Sequence, residues 1–320
     1  MLQSDWGWTV VIDLFMSGFG GCLFVATAIG FLLAKDSFAK VARVGAWVSF
    51  SAVLVGVLFL LMDVGQPLRA MWMFGSFVNF ESWMPRGAWS LAASMLVFLL
   101  FALSFDKRIV SRIGKTTDEG TLSGGWLAVA RKACAIIGLA LGLFVTTYTG
   151  FLLKGSMNIP FWNTVNLPLS FVFLSLSAGA AMMLVLLVVL YDGLSKERLC
   201  KGFAVATTVG ALAATLFIYL YLSEMLSAGV AAQASVQWVL ESPAFAVCAV
   251  CAVVLAIAGV VAFVFAGKSS LLKPVVVAAC VVAVVAGVSF RYCVLGGGQH
   301  AGLPSLDLLQ MFGGSTCLFR

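Results

Sequence analysis

The stretch WTVVIDLFMSGFGGCLFVATAIGFLLA, residues 8–34, decides the fold. From Leu14 to Ala34 it carries no charge. A bilayer core about 30 Å thick is crossed by about 20 apolar residues in a helix, so this stretch reads as a membrane span. No signal-peptide cleavage pattern precedes it, so it is expected to remain as a true span. Asp13 lies inside it. Moving outward along the chain, runs of the same kind recur at about 44–62, 87–105, 132–153, 167–190, 202–223, 243–266 and 273–295. The uncharged run 155–191 is too long for one span, and Pro160 and Pro168 break its first part. The expectation is an all-α integral membrane protein in one domain, 1–320, with eight transmembrane helices.

Composition agrees. The 320 residues are 62% hydrophobic and only 10% charged, with mean hydropathy +1.10. Soluble domains run at about 45–50% apolar and about 25% charged. The single histidine, His300, excludes a haem held by two His ligands and a His-rich zinc or copper centre. Of the eight cysteines, Cys248 and Cys251 form the one C-x-x-C, inside an apolar run without a second such pair. That pattern reads as small apolar packing residues, not as a cluster site. No metal site is expected. The net charge of +6 does not point to nucleic acid, because the basic residues are confined to loops. The expected surroundings are lipid.

Those loops set the orientation. Lys35, Lys40, Arg43, Lys107, Arg108, Arg112, Lys115, Arg131, Lys132, Lys196, Arg198, Lys201, Lys268 and Lys273 fall on one side. Arg69, Arg86, Lys154, Arg291 and Arg320 fall on the other. The positive-inside rule makes the first side cytoplasmic and puts both termini outside. Residues 105–131, around Thr116-Thr117-Asp118-Glu119-Gly120, read as a cytoplasmic linker. The outer segments DVGQPLRAMW from Asp63, ESWMPRGAW from Glu81 and NIPFWN from Asn158 are richer in Trp, Pro, Asn and Gly. Structured loops on one face suggest a docking surface or a ligand mouth.

Ionisable groups within spans are costly and usually functional. Asp13 lies five residues past Trp8, about 7–8 Å along the helix. A carboxyl there favours its neutral form, and such a group can accept or return a proton. Tyr148 sits at comparable depth, six residues before Lys154, and its phenol can hydrogen-bond a carbonyl oxygen. Asp63 ends the second span, where the helix dipole disfavours an anion, so Arg69 or Arg86 is the expected compensation. Arg291 is expected at the end of the last span, partly immersed, paired with Glu224 or Asp63. All these groups gather toward the outer side, and no carboxylate wire crosses the bilayer in the sequence.

Five segments in order resemble the NrfD/PsrC family of polysulfide-reductase-like membrane subunits. They are WGWTVVIDLFMSGFGG from Trp6; DVGQPLR from Asp63, against D-L-G-R-P-x-R; SWMPRGAW from Ser82; YTGFLL from Tyr148, leading to IPFWN from Ile159 and L-S-x-G from Leu176; and RYCVLGGGQ from Arg291. The resemblance implies two four-helix bundles, a quinol site near the outer face and no haem in this subunit. It implies an extracytoplasmic iron–sulfur partner that holds the clusters, commonly with a molybdopterin catalytic subunit, in the bacterial cytoplasmic membrane. Tyr148 matches the family tyrosine that contacts the quinone headgroup. Asp13 falls where some relatives carry His or another polar headgroup ligand. Gln66 stands where Arg is common. Asp63, Arg69, Asn163, Arg291 and Gln299 also match the pattern as candidate binding residues. The family's link to anaerobic respiration favours menaquinone/menaquinol over ubiquinone. The reaction implied is exchange of electrons between the quinone pool and the partner, with Asp13 and Tyr148 as the catalytic pair. A metal-free redox subunit must handle protons while the electrons leave through a partner. Two other readings compete: a secondary transporter or proton channel, and a passive anchor for a peripheral reductase. Transporters favour broken helices and midplane charge, whereas a passive anchor has no use for Asp13.

Overall fold

The computed structural model describes residues 6–34, 38–63, 82–106, 126–156, 159–191, 195–266 and 269–300. Among them there is no strand. The backbone runs α1 (Trp8–Ala34), α2 (Ala39–Asp63), α3 (Trp83–Leu103), α4 (Trp126–Lys154), a 3-10 turn (Pro160–Trp162), α5 (Asn166–Leu190), α6 (Lys196–Ser227), α7 (Val230–Glu241), α8 (Pro243–Val264) and α9 (Ser269–His300). Lipid offers the backbone no hydrogen-bond partner, so each crossing segment must bond to itself. Eight of these helices are long and apolar enough to cross a membrane; α7, at 12 residues, is not.

The expected spans are therefore present, but several helices outrun them. The run 44–62 belongs to a helix over Ala39–Asp63, and 202–223 to one over Lys196–Ser227. An uncharged run marks the apolar slab, while the hydrogen-bond ladder continues into the interface. The short α7 was not expected. Gly229, at φ 128°, separates it from α6, and Pro243 restarts the chain as α8. The left-handed backbone at Gly229 is open to a residue without Cβ.

The last helix differs most. It begins at Ser269, carries Pro274 inside it and continues past the expected end at 295 to His300. Gly296, Gly297 and Gly298 do not end it. They are packing slots, since a Cβ at each would collide with Trp238, with Val239 and Phe161, and with Trp162 respectively.

Helix α1 occupies the centre, packed on α2, α4 and α5 and touching α3 and α9. Helix α3 fills in against α2 and α4; α5 packs on α6 and α9; α8 lies on α6 and α9. The centre is possible because α1 is lined with small residues. A Cβ on Gly21 would lie 2.6 Å from the Gly142 carbonyl oxygen, and one on Gly142 would lie 2.7 Å from that of Gly21. A Cβ on Gly179 of α5 would lie 2.8 Å from the Cys22 carbonyl carbon. In a membrane, where apolar side chains gain little by leaving lipid, such close backbone approach supplies the packing. Thr146 secures the α1–α4 seam by donating to the carbonyl of Gly142 at 2.8 Å and to that of Gly18 at 3.2 Å.

Candidate functional site

Asp13 lies on the buried face of α1, 5% exposed. Its Oδ1 accepts a hydrogen bond from Ser17 Oγ at 3.0 Å. The two are one helical turn apart, the spacing that places side chains on one face. Opposite them is Gly56 of α2, where a Cβ would come within 2.9 Å of Ser17 Oγ and 3.1 Å of Asp13 Oδ1. Gly56 thus makes the room that the polar pair occupies.

Tyr148 is 6% exposed on α4, and its phenol packs against Gly87 of α3, where there is no room for a Cβ. Asp13 is within electrostatic reach of both Tyr148 and Asp63. Both groups expected to form the reactive pair are thus buried within the helical bundle. Asp63 ends α2 and accepts a 2.6 Å hydrogen bond from Thr9 Oγ1 at the start of α1. Its described partner is this hydroxyl; Arg69, like Gln66, lies outside the described residues. Arg86 places its guanidinium over the Trp83 ring, 5.1 Å from the centroid.

Further along α4 from Tyr148 is a cavity of about 530 Å³, lined by Trp6, Trp83, Phe151, Lys154 and Asn163 among others. Trp83 and Phe151 stack with centroids 4.8 Å apart. Tyr148 precedes Phe151 by three residues, so the phenol sits about one turn along α4 from the cavity wall. Neither Asp13 nor Tyr148 lines the cavity itself. Asn163, exposed at the end of the 3-10 turn, forms part of the rim. Gln299 ties the end of α9 to this region by donating to the Trp6 carbonyl at 3.4 Å, while Trp6 stacks on Trp162 at 5.3 Å. The two ends of the chain's helical part thus share one face.

Arg291 is not where the sequence suggested. It is fully buried, nine residues before the end of α9. It reaches α1 at Gly18 and α5 at Ser175, each about 14–15 Å along its helix from that same face. Its Nη2 donates to Ser175 Oγ at 2.8 Å and its Nη1 to the Gly287 carbonyl at 3.1 Å. The guanidinium lies 4.6 Å from the Phe171 ring centroid and 5.4 Å from that of Phe15. Its Nε has no hydrogen-bond partner among the described residues. Neither expected carboxylate pairs with it. Glu224 accepts instead from Asn166 Nδ2 at 2.8 Å and from the Thr164 hydroxyl. The reason is geometric: α9 continues as helix to His300, which puts position 291 more than two turns inside the helix instead of at its end.

Several contributing residues escaped the sequence reading. Thr9, Ser17, Ser175, Gly56 and Gly87 are uncharged and common in helices. Only Ser17 left a signal, its four-residue spacing from Asp13. The described cysteines are free thiols, and among the described residues no group of three or more His, Cys, Asp or Glu side chains converges.

Eight crossing helices with a buried carboxyl–phenol pair beneath an aromatic-walled cavity at one face define a multi-pass membrane protein with a one-sided polar site. Residues 3–301 match the family model described as NrfD, polysulphide reductase, and the chain belongs to that family. It is 30% identical over 177 residues to the polysulfide reductase C subunit of Wolinella succinogenes, a match that takes in 54% of this protein and 55% of that one. It is 26% identical over 191 residues to protein NrfD of Escherichia coli, a match that takes in 56% and 58%. The matches thus span little more than half the length of these relatives.

Proposed function

We propose that this chain is the quinol-binding membrane subunit of a respiratory oxidoreductase complex in the bacterial cytoplasmic membrane. In this reading the face bearing Trp6 points outward, toward an iron–sulfur partner and a molybdopterin catalytic subunit. The observation that carries it is the burial of Asp13 and Tyr148 within electrostatic reach of each other, next to the cavity of Trp83, Phe151 and Asn163.

The residues fit a quinone headgroup. A cavity of about 530 Å³ falls within the 300–1,000 Å³ typical of small-molecule sites. Its stacked aromatic wall suits a planar ring, and polar groups lie at one end. When bound, menaquinol or ubiquinol supplies two electrons and two protons, and the protein supplies position and electrostatics. Asp13 would take a proton on a carboxylate oxygen while Ser17 orients the carboxyl. The Tyr148 hydroxyl would donate to a carbonyl oxygen, and Asn163 and Gln299 would hold the rim. Asp13 and Tyr148 are themselves buried, and a low-dielectric surrounding strengthens polar contacts of this kind.

The membrane-bound assembly tests this reading. Gentle extraction should co-purify an iron–sulfur protein, and Tyr148→Phe in that assembly should lower quinol oxidation while leaving assembly intact. A preparation with no iron–sulfur partner, or a Tyr148→Phe variant with normal turnover, overturns it.

The competing transporter or proton-channel reading gains one observation: Arg291 is a fully buried cation inside the helical bundle, and such proteins place charge within the membrane. The described spans are nevertheless unbroken α-helices. Ion or proton flux through proteoliposomes of the isolated chain, with no redox partner, would favour that reading. The passive-anchor reading leaves the buried Asp13 without purpose.

A further inference from the structure

At the face opposite Trp6, the end of α1 and the start of α6 leave a groove of about 440 Å³. The two helices make no extended contact with each other. Ile29 and Leu33 of α1 form one wall; Leu199, Phe203 and Ala206 of α6 form the other. Arg198 stands at its end, on the first turn of α6. The wall from Arg198 to Ala206 runs about 12 Å toward the bilayer interior.

Two other cations of α6 are engaged. Lys201 pairs with Glu197 at 2.6 Å, and Lys196 donates to the Val188 carbonyl at 3.4 Å. Arg198 is exposed and makes no hydrogen bond or ion pair with another described residue. The groove is also truly open: a Cβ added at Gly202, in its floor, meets no atom within 4 Å. Leu33 is 69% exposed on its wall.

We propose that this groove binds one anionic glycerophospholipid, with its phosphate on the Arg198 guanidinium and an acyl chain laid along Gly202, Phe203 and Ala206. Charge complementarity selects the headgroup. Basic side chains at the ends of membrane helices recognise anionic lipids, and guanidinium pairs well with phosphate. The apolar walls select a chain that already lives in the bilayer. This site lies at the opposite face from the proposed quinol site and does not rest on that reading.

The test uses the full-length chain, stripped of lipid in detergent and titrated with phosphatidylglycerol or phosphatidylcholine of identical acyl chains. Native mass spectrometry counts the bound lipid. The wild type should hold one phosphatidylglycerol in preference to phosphatidylcholine. Arg198→Gln should weaken phosphatidylglycerol about fivefold, to the phosphatidylcholine level, the equivalent of about 1 kcal/mol for one interfacial cation. Gly202→Leu, whose Cβ would meet no atom within 4 Å and whose branched end would occupy the groove, should block that site for both lipids. Equal binding of the two lipids by the wild type overturns the proposal. So does an unchanged preference in Arg198→Gln, or undiminished binding in Gly202→Leu. Arg198 is exposed, so its variant separates lipid binding from folding.

Discussion

Helices α1 and α8 are both apolar spans, yet the molecule uses them in opposite ways. The most apolar window of α8 has the higher hydropathy, 3.0 against 1.9, but only 28% of it is buried, whereas 78% of the α1 window is. Hydropathy thus says that a segment enters the membrane, not how deep in the protein it sits. Valines and isoleucines such as Val250, Val253, Ile257 and Val260 turn more than half of their surface outward on α8. On α1, Gly18, Gly20 and Gly21 let α2, α4 and α5 approach the backbone itself. The central helix is the less greasy one because close packing favours small residues over large apolar ones.

The contrast can be broken most forcefully at Gly21. Gly21→Leu would push apart α1 and α4, and should cost about 3 kcal/mol or more, read as loss of folded protein on thermal unfolding in detergent. If it unfolds like the wild type, the centre is not held by backbone contact.

Next comes the chemistry that α1 shares in and α8 does not. Asp13→Asn keeps the shape and the Ser17 contact but removes the exchangeable proton. Quinol oxidation by the assembled complex should fall at least about 100-fold, the lower bound for losing a general base. Assembly should be unchanged.

A smaller effect is expected where α5 supports the buried arginine. Ser175→Ala takes the hydroxyl from Arg291 and should destabilise the protein by about 2 kcal/mol, as for other hydrogen bonds to a charged group. An unchanged melting temperature would mean that Arg291 finds another acceptor. The smallest effect belongs to α8. Val260→Leu, at a side chain 52% exposed, should alter stability by less than about 0.5 kcal/mol. A larger loss there would erase the difference between the two helices.

Much of this was legible beforehand. Eight uncharged runs gave eight crossing helices, because a bilayer imposes the same length and polarity on every span. Asp13 and Tyr148 were legible as candidates because a polar group is conspicuous against an apolar stretch. The partners were not. Thr9, Ser17 and Ser175 became visible only once the helices were placed side by side. Arg291 was misplaced because the last span was expected to end at 295, whereas Trp162, Trp238 and Phe161 pack against the three glycines that follow and the helix continues.

By itself, then, the sequence determined an all-helical membrane protein, the number of its spans and a short roster of polar groups, all of which follow from the cost of moving charge and unpaired backbone out of water. Only the tertiary structure decided that α1 is central and α8 peripheral, that Asp13 and Tyr148 are both buried, and that Arg291 reaches inward to Ser175. Those outcomes depend on which small residues meet across helix interfaces, a property of pairs of distant segments that no single run of residues contains.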